Sequence, residues 1–376
     1  MLLVDARAVV PPPHVAQPLR LLPFRGLTVD PARIGVPSSM RLFGRPYRRA
    51  AERLDRRERR GLVHRDPVPA IYLHEYTSVG LTVRGLTGAL DLSRRARSRA
   101  EVAVLPHEGV HPRQVDDLAT RMEQLQVNPA PILLVYRGST AGRALLDDVQ
   151  RTPPSRELVD RGGQRHRLWA LRDREIVAGV QEELAARRAL IADGHHRYAA
   201  YLQLQARDPR PAARAGLAML VDQDATPLHL GPIHRHLAGT DLQALRATAV
   251  RVGVEVRESD AGAAISALRP DTLVATDGRR WITLRLPLPP EELAVQVLHD
   301  RILASLRPAP LVDYHHSTDE ALAAVAGRGG TAVLMPAPDF GRVLEICAAD
   351  RLLPEKATSF QPKPHVGVLI RSLRDG

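Results

Sequence analysis

The residues best suited to chemistry lie in one short stretch, Asp193-Gly194-His195-His196-Arg197. Glycine lets the backbone approach a ligand closely because it carries no Cβ. Arginine presents a planar fork of N–H donors that matches phosphate or carboxylate oxygens. An aspartate at this place can either cap a helix or hold a cation beside an anion. These residue types together predict a phosphate-binding site.

A strand and a helix must position this stretch. The apolar run before Asp193 predicts a strand, and the spacing of Tyr198, Tyr201 and Leu202 predicts a helix that begins after Gly194. The first turn of a helix offers unpaired N–H groups and the positive end of the dipole, which favours anions. The alternative interpretation is an ordinary turn in which the aspartate only caps the helix and the arginine is solvated.

A second polar segment, His107–His111, matches the H-E-x-x-H pattern of zinc proteases. That pattern requires a helix, but a glycine inside the segment and Pro112 after it both disfavour helical backbone. We therefore expect a turn at a strand end that presents His107 and Glu108. The carboxylate could act as a general base or help to hold a metal–nucleotide complex, and its alternative role is to cap the next helix.

Two further segments carry candidate phosphate-binding residues. The polar run Gly231–His236 predicts a loop in which His234 and His236, two residues apart, are phosphate donors or a polar edge. Only two of the 53 basic residues are lysines, Lys356 and Lys363, and they are neighbours among the basic positions. Lysine is a compact point charge that arginine cannot always replace, so we predict a functional role for this loop.

Composition narrows the class of protein. A chain of 376 residues is long enough for two domains, and 44% apolar with 25% charged residues is typical of a soluble globular protein. The single cysteine, Cys347, excludes an intramolecular disulfide and fits a reducing cytoplasm. The first ten residues contain neither a basic segment nor a long apolar run, which predicts no signal peptide and no membrane span. We expect a cytoplasmic protein.

The net charge of +11 does not by itself indicate nucleic acid. The basic residues are almost all arginines spread along the chain, as GC-rich coding produces. Aromatic residues are only 3% and are not interleaved with them as stacking platforms for bases. We therefore expect a nucleotide and a small-molecule substrate as partners, with no nucleic acid and no membrane; the oligomeric state is not predicted.

Periodicity predicts an α/β protein with mixed sheets in three parts. Residues 1–40 are Pro-rich and irregular, which indicates an extended N-terminal strap. Alternating helix and strand patterns over 41–240 indicate the phosphate-binding domain. The order of elements starts afresh after Thr240, so 241–376 predicts a smaller C-terminal α/β domain. Lys356 is expected to close over the phosphates from that domain.

With these motifs identified, the chain resembles, nearly from end to end, the domain-of-unknown-function 1015 family of bacterial and archaeal proteins, whose activity is not established. The matching segments are Pro23–Leu27, His107-Glu108, Asn128–Pro131, His166–Trp169, Ile191–Tyr198, Pro232–Arg235, Pro354–Thr358 and Pro362–Pro364. Two departures stand out. Gly35–Met40 lacks an aspartate that family members usually carry there, and Leu105-Pro106 replaces a common basic residue before the His-Glu pair. If these positions bind substrate, this member prefers another one or has reduced activity.

The Asp193–Arg197 box also resembles, more distantly, the phosphate-binding box of the ParB and sulfiredoxin superfamily. That superfamily includes nucleotide-hydrolysing partition proteins, sulfiredoxin and free-serine kinases. The resemblance implies a ParB/sulfiredoxin-like nucleotide-binding core in which the box cradles the phosphates of ATP or ADP. It also implies that Glu108, a carboxylate upstream of the box, activates a substrate hydroxyl.

We therefore predict a nucleotide-dependent phosphotransferase that acts on a small hydroxyl-bearing metabolite, such as a serine-like amino acid. The predicted catalytic residues are Glu108, His107 and Asp193, and Asp193 also helps to hold Mg²⁺. The predicted nucleotide-binding residues are Gly194, His195, His196, Arg197, His234, Arg235 and Lys356. One alternative is a nucleotide-binding or hydrolysing switch without a small-molecule acceptor. Another is a metal-dependent hydrolase built on the 15 histidines.

Overall fold

The computed structural model of the chain describes residues 9–34, 50–78 and 80–375. The family departure at Gly35–Met40 and the first eight residues of the predicted strap lie outside the described residues. No described helix is both long enough and apolar enough to cross a membrane.

The strands alternate with helices along most of the chain. In chain order they are β1 Leu21–Leu22, β2 Gly26–Val29, β3 Val63–Arg65, β4 Ile71–Ser78, β5 Leu81–Asp91, β6 Val104–Leu105, β7 Val127–Asn128, β8 Ile132–Tyr136, β9 Arg156–Val159, β10 Arg165–Leu171, β11 Ala189–Asp193, β12 Ala215–Asp222, β13 His229–Gly231, β14 His234–Ala238, β15 Glu255–Ser259, β16 Thr272–Thr276, β17 Trp281–Arg285, β18 Leu311–His315, β19 Thr331–Leu334, β20 Ser359–Gln361 and β21 Ile370–Ser372.

The α-helices of the described residues are α1 Ala50–Arg59, α2 Pro112–Leu125, α3 Thr140–Gln150, α4 Arg174–Ala185, α5 His195–Arg207, α6 Leu242–Arg251, α7 Ala261–Ser266, α8 Ala294–Val297, α9 Thr318–Arg328 and α10 Phe340–Ala348. The helix that begins after Leu293 is α-helical only in α8. It continues as a π-helical turn over Leu298–Ile302 and a 3₁₀ turn over Leu303–Ser305. The predicted mixed α/β fold is confirmed.

The chain divides into two compact units. The first comprises Met1–Leu228 together with Pro362–Gly376, and the second comprises His229–Gln361. The C-terminal segment joins the first unit because β21 pairs with β2 and β7. This division differs from the boundary predicted near Thr240 in two ranges. Residues 229–240 belong to the second unit, and residues 362–376 belong to the first.

The main sheet of the first unit has nine strands in the order β6-β11-β8-β12-β5-β4-β10-β9, with β1 on β5. Strands β6 and β11 are parallel, with Val104 opposite Ala189. Parallel neighbours end at the same edge of a sheet, so the chain leaves both strands at one place. Strand β8 runs antiparallel to β11, and therefore its first residue, Ile132, lies at this edge too.

Helix α5 covers this part of the sheet with the residues that the spacing predicted. Tyr198, Tyr201 and Leu202 are all buried, and burial of each large side chain contributes about 1.5–3 kcal/mol relative to exposure. The Tyr198 hydroxyl accepts from the Val15 N–H at 3.0 Å and donates to the Pro13 carbonyl at 2.9 Å. The described part of the predicted strap is thus hydrogen-bonded to α5.

A four-stranded sheet in the order β3-β2-β21-β7 joins the two ends of the chain. Its centre is the buried Arg371, which donates to the carbonyls of Ala212 at 2.6 Å and Ala215 at 2.9 Å. It also donates to the Asn128 side chain at 3.1 Å, which gives the Asn-Pro-Ala-Pro motif a structural role. Burial lowers the pKa of Arg371 to about 10.

The second unit contains a six-stranded sheet in the order β15-β17-β16-β19-β14-β18 and a small sheet of β13 and β20. Strand β14 begins at His234, where the sequence predicted a loop. The prediction of a loop is wrong here because β14 pairs on both sides, with β18 and with β19. Its side chains are therefore buried rather than exposed at an edge.

Candidate functional site

The candidate site is built on the turn between β11 and α5. Gly194 has a φ of +98°, in the left-handed region that side chains disfavour. A Cβ at this position would lie 3.0 Å from the Arg197 guanidinium and 3.1 Å from Ile132 Cγ2. Because glycine occupies the N-cap position of α5, the N-cap residue offers no side-chain acceptor to the first-turn N–H groups. The predicted strand, turn and helix are confirmed.

Charged side chains converge on this turn. The Asp193 carboxylate forms ion pairs with Arg197, one turn along α5, and with Lys363 from the C-terminal segment. Arg197 Nη1 also donates to the Pro131 carbonyl at 2.5 Å, just before β8 begins. The Arg197 side chain is only 22% exposed. The alternative interpretation of a solvated arginine is therefore wrong.

The two adjacent histidines of the box hold the neighbouring loop. The backbone N–H of His107 donates to His195 Nε2 at 3.2 Å, and that of His111 donates to His196 Nε2 at 3.1 Å. The His107 and His195 rings meet edge to face, with centroids 4.4 Å apart. Since these Nε2 atoms act as acceptors, His195 and His196 position the loop after β6.

Glu108 lies in this loop, beside the turn. Its Oε1 atom is 3.8 Å from His107 Nε2, and its side chain is 17% exposed. The loop is braced from the N-terminal strap by paired backbone hydrogen bonds between Val10 and Val110, at 2.8 and 3.0 Å. The segment 107–111 is not helical, and α2 begins at Pro112 with His111 as its N-cap. The prediction that no zinc-protease helix forms here is confirmed, but the segment is an irregular loop with bridge residues at 108 and 110 rather than the predicted turn.

His107 makes the first unit sensitive to acid. Burial lowers its pKa to about 3, whereas histidine in an unfolded chain titrates near 6.5. Between these values the unfolded state binds a proton that the folded state does not, so the free energy of unfolding falls as the pH drops through this window. Urea unfolding of His107→Gln should show a weaker loss of stability between pH 7 and pH 4 than the wild type.

The matched control for this prediction is His64→Gln, which replaces an exposed histidine on β3. It should keep the pH dependence of the wild type. If His107→Gln and the wild type lose stability in parallel over this range, the buried neutral state of His107 is contradicted.

The other predicted binding residues belong to the second unit. His234 is buried, its Nδ1 accepts from the Met335 N–H at 3.0 Å, and burial lowers its pKa to about 4. Arg235 is 1% exposed and donates to the carbonyl of Lys356 at 2.9 Å and to His299 Nε2 at 3.3 Å. Lys356 is exposed and has a φ of +55°. Arg235 therefore shapes the backbone around Lys356, and the predicted phosphate contacts of these residues stay predictions.

The first unit thus brings together His107, Glu108 and the Asp193–Arg197 box. The sequence did not identify Lys363 as a site residue, although the rarity of lysine singled it out. It also missed the Pro131 carbonyl, which no side-chain pattern can show. A separate cluster of Asp160, His166 and His365 was missed as well, because the last two lie 199 positions apart in the chain (365 − 166).

The sequence model of the family described as "Protein of unknown function (DUF1015)" matches residues 23–303. No curated protein sequence matches the chain. Among solved structures, a free serine kinase in complex with AMP is 18% identical, over 72% of this chain and 89% of that chain, with a TM-score of 0.42. A mutant of free serine kinase with AMP is 17% identical over 78% and 93%, with a TM-score of 0.44. C-terminally truncated SbnI from Staphylococcus aureus is 13% identical over 72% and 85%, with a TM-score of 0.42.

Proposed function

The chain belongs to the DUF1015 family of proteins of unknown function, and we propose that this member is a nucleotide-dependent phosphotransferase acting on a small hydroxyl-bearing metabolite. One observation carries the proposal. The parallel strands β6 and β11 end side by side, so that Glu108 lies beside a glycine turn at which Arg197 and Lys363 converge. A carboxylate next to a cationic helix N-terminus is an arrangement suited to phosphoryl transfer.

The phosphates of ATP or ADP bind at the N-terminus of α5. The N–H groups of its first turn point along the helix dipole toward an anion, and Gly194 allows the backbone to approach it. The Arg197 fork and the Lys363 ammonium supply two positive charges at the same turn. A polyphosphate competes with the Asp193 carboxylate for both cations, which favours a divalent cation beside that carboxylate.

Asp193 fits Mg²⁺, which is usually bound by one or two carboxylates together with substrate phosphates and water. Both of its oxygens are engaged by Arg197 and Lys363 in the structure, so Mg²⁺ would reach the carboxylate once a polyphosphate has drawn these cations away. When bound, Mg²⁺ would neutralise charge on the phosphate oxygens.

Glu108 is the general base. Its carboxylate takes the proton of the acceptor hydroxyl as the hydroxyl oxygen forms a bond to the terminal phosphorus. The bond between that phosphorus and its bridging oxygen breaks, and the nucleotide leaves with one phosphate fewer. Arg197 and Lys363 stabilise the charge on the transferred group. His107 and His195 position the Glu108 loop through the backbone bond between them.

The acceptor class follows from the resemblance of the Asp193–Arg197 box to that of free-serine kinases. We propose an acceptor with a primary hydroxyl, such as a serine-like amino acid. His234, Arg235 and Lys356 of the second unit remain proposed contributors to nucleotide binding, with Lys356 as the residue whose side chain is exposed.

Phosphoryl transfer to small molecules tests this function. The wild type is incubated with Mg²⁺, ATP or ADP labelled on the terminal phosphate, and either a panel of hydroxyl amino acids or a deproteinised metabolite extract. We expect label in one small metabolite, in an amount that rises with enzyme concentration. Label released only as inorganic phosphate would overturn the kinase and favour a nucleotide-hydrolysing switch.

A further inference from the structure

Three side chains of the first unit that the proposed phosphotransferase does not use meet at one point. Asp160 Oδ2 is hydrogen-bonded to His166 Nε2 at 3.1 Å and to His365 Nδ1. The three atoms all lie within 4.8 Å of one another. We propose that Asp160, His166 and His365 bind one divalent transition-metal ion, with Zn²⁺ as the natural occupant. The observations that carry this proposal do not depend on the proposed phosphotransferase activity.

The donor set suits such an ion. Two imidazole nitrogens and one carboxylate oxygen are ligands that Zn²⁺ and other first-row metals bind well. Zinc bonds to these atoms are about 2.0–2.2 Å long, so the ligand atoms of a tetrahedral site lie roughly 3.3 Å apart. The 3.1 Å between Asp160 and His166 is already close to that value. Zinc sites with three protein ligands complete the tetrahedron with a water molecule.

The surrounding residues orient the three ligands. Asp160 Oδ1 accepts the backbone N–H groups of Gly162 at 2.8 Å and Gln164 at 3.0 Å, which directs Oδ2 toward the histidines. His166 Nδ1 is hydrogen-bonded to His74 Nε2 at 3.1 Å. Outer partners of this kind hold the ring and the tautomer of a metal-binding histidine.

Burial and hydrogen bonding favour the protonation states in which these side chains bind a metal ion. The side chains of Asp160 and His166 are fully buried, whereas His365 is 17% exposed and gives an ion access from solvent. Burial lowers the pKa of both His74 and His166, so their rings are neutral at pH 7. Burial also acts to raise the pKa of Asp160, but hydrogen bonds from the two histidines hold it below its usual value. Neutral imidazole and ionised carboxylate are the species that ligate.

A metal here cross-links distant parts of the chain. Asp160 and His166 flank the turn between β9 and β10, and His365 belongs to the C-terminal segment. Gln164 supports the same junction, since its side chain donates to the Lys363 carbonyl at 3.2 Å and accepts from the His365 N–H at 3.0 Å. The ion would therefore fix the position of the C-terminal segment, from which the Lys363 side chain reaches Asp193.

Cobalt titration of the full-length protein tests the site. After treatment with a chelator, the wild type is titrated with Co²⁺. This ion absorbs visible light much more strongly when it has four ligands than when it has six. We expect one equivalent to bind with strong absorption and to be displaced by Zn²⁺. A wild type that takes up no stoichiometric Co²⁺ would overturn the proposal and leave a hydrogen-bonded His-Asp-His network.

Variants assign the binding to these residues. His365→Gln, at the rim of the cluster, should weaken Co²⁺ binding at least 100-fold, and His74→Gln should weaken it about 10–100-fold through the outer shell. The control His64→Gln replaces an exposed histidine on β3 and should bind like the wild type. Far-UV circular dichroism confirms that each variant is folded. Equal Co²⁺ affinity of His365→Gln and the wild type would also overturn the proposal.

Discussion

Replacing Glu108 by glutamine is expected to lower the rate of phosphoryl transfer by about 10²–10⁴-fold, because the amide cannot accept the proton of the attacking hydroxyl. The side chain keeps its shape, and the loop that carries it is held by backbone bonds to His195 and His196. The turn at Gly194 should therefore still bind nucleotide with nearly unchanged affinity. Single-turnover transfer rates and the nucleotide dissociation constant, measured on the same preparation, separate the two effects.

Glu123→Gln is the matched control for this substitution. It makes the same chemical change on the exposed face of α2, and it should leave the transfer rate at the wild-type value. Retention of full transfer activity in Glu108→Gln would remove Glu108 from the mechanism. A large loss of nucleotide affinity in that variant would instead assign Glu108 to the metal–nucleotide complex.

Replacing Arg197 by alanine is expected to weaken nucleotide binding by about 10–100-fold. A hydrogen bond to a charged group contributes about 1.5–3 kcal/mol, and the guanidinium also fixes the turn through Asp193 and the Pro131 carbonyl. Arg197→Lys keeps the charge but cannot span both partners with one planar fork, so it should give an intermediate affinity. Titration with a fluorescent nucleotide in the presence of Mg²⁺ measures the affinity of the wild type, Arg197→Ala and Arg197→Lys.

Arg207→Ala provides the comparison on the same helix. Arg207 lies at the far end of α5 and forms an exposed ion pair with Asp116, which solvent and salt screen strongly. Its removal should not alter the affinity for nucleotide. If Arg197→Ala binds nucleotide as tightly as Arg207→Ala does, the phosphate site does not lie at this turn.

Local patterns predicted the central element well. The apolar run before Asp193 and the helical spacing after Gly194 specify β11 and α5. Both signals depend only on residues that are close together in the sequence. The non-helical backbone of 107–111 was also predictable, because proline and glycine disfavour a helix by purely local sterics.

Long-range contacts were not predictable from such patterns. The ion pair of Lys363 with Asp193 joins residues 170 positions apart, and the return of the C-terminal segment to the first unit creates it. His234 and Arg235 are polar, so they predicted a loop, yet pairing of β14 on both sides buries them. Their polar atoms are instead satisfied inside the second unit, by the Met335 N–H and the Lys356 carbonyl among others.

The most direct measurement is isothermal titration of the wild type with ATP or ADP in the presence of Mg²⁺. We expect one nucleotide per chain, with binding that weakens in Arg197→Ala and remains unchanged in Arg207→Ala. If neither nucleotide binds, even at millimolar concentration, Gly194 is only a tight connection between β11 and α5, and no phosphate is transferred there.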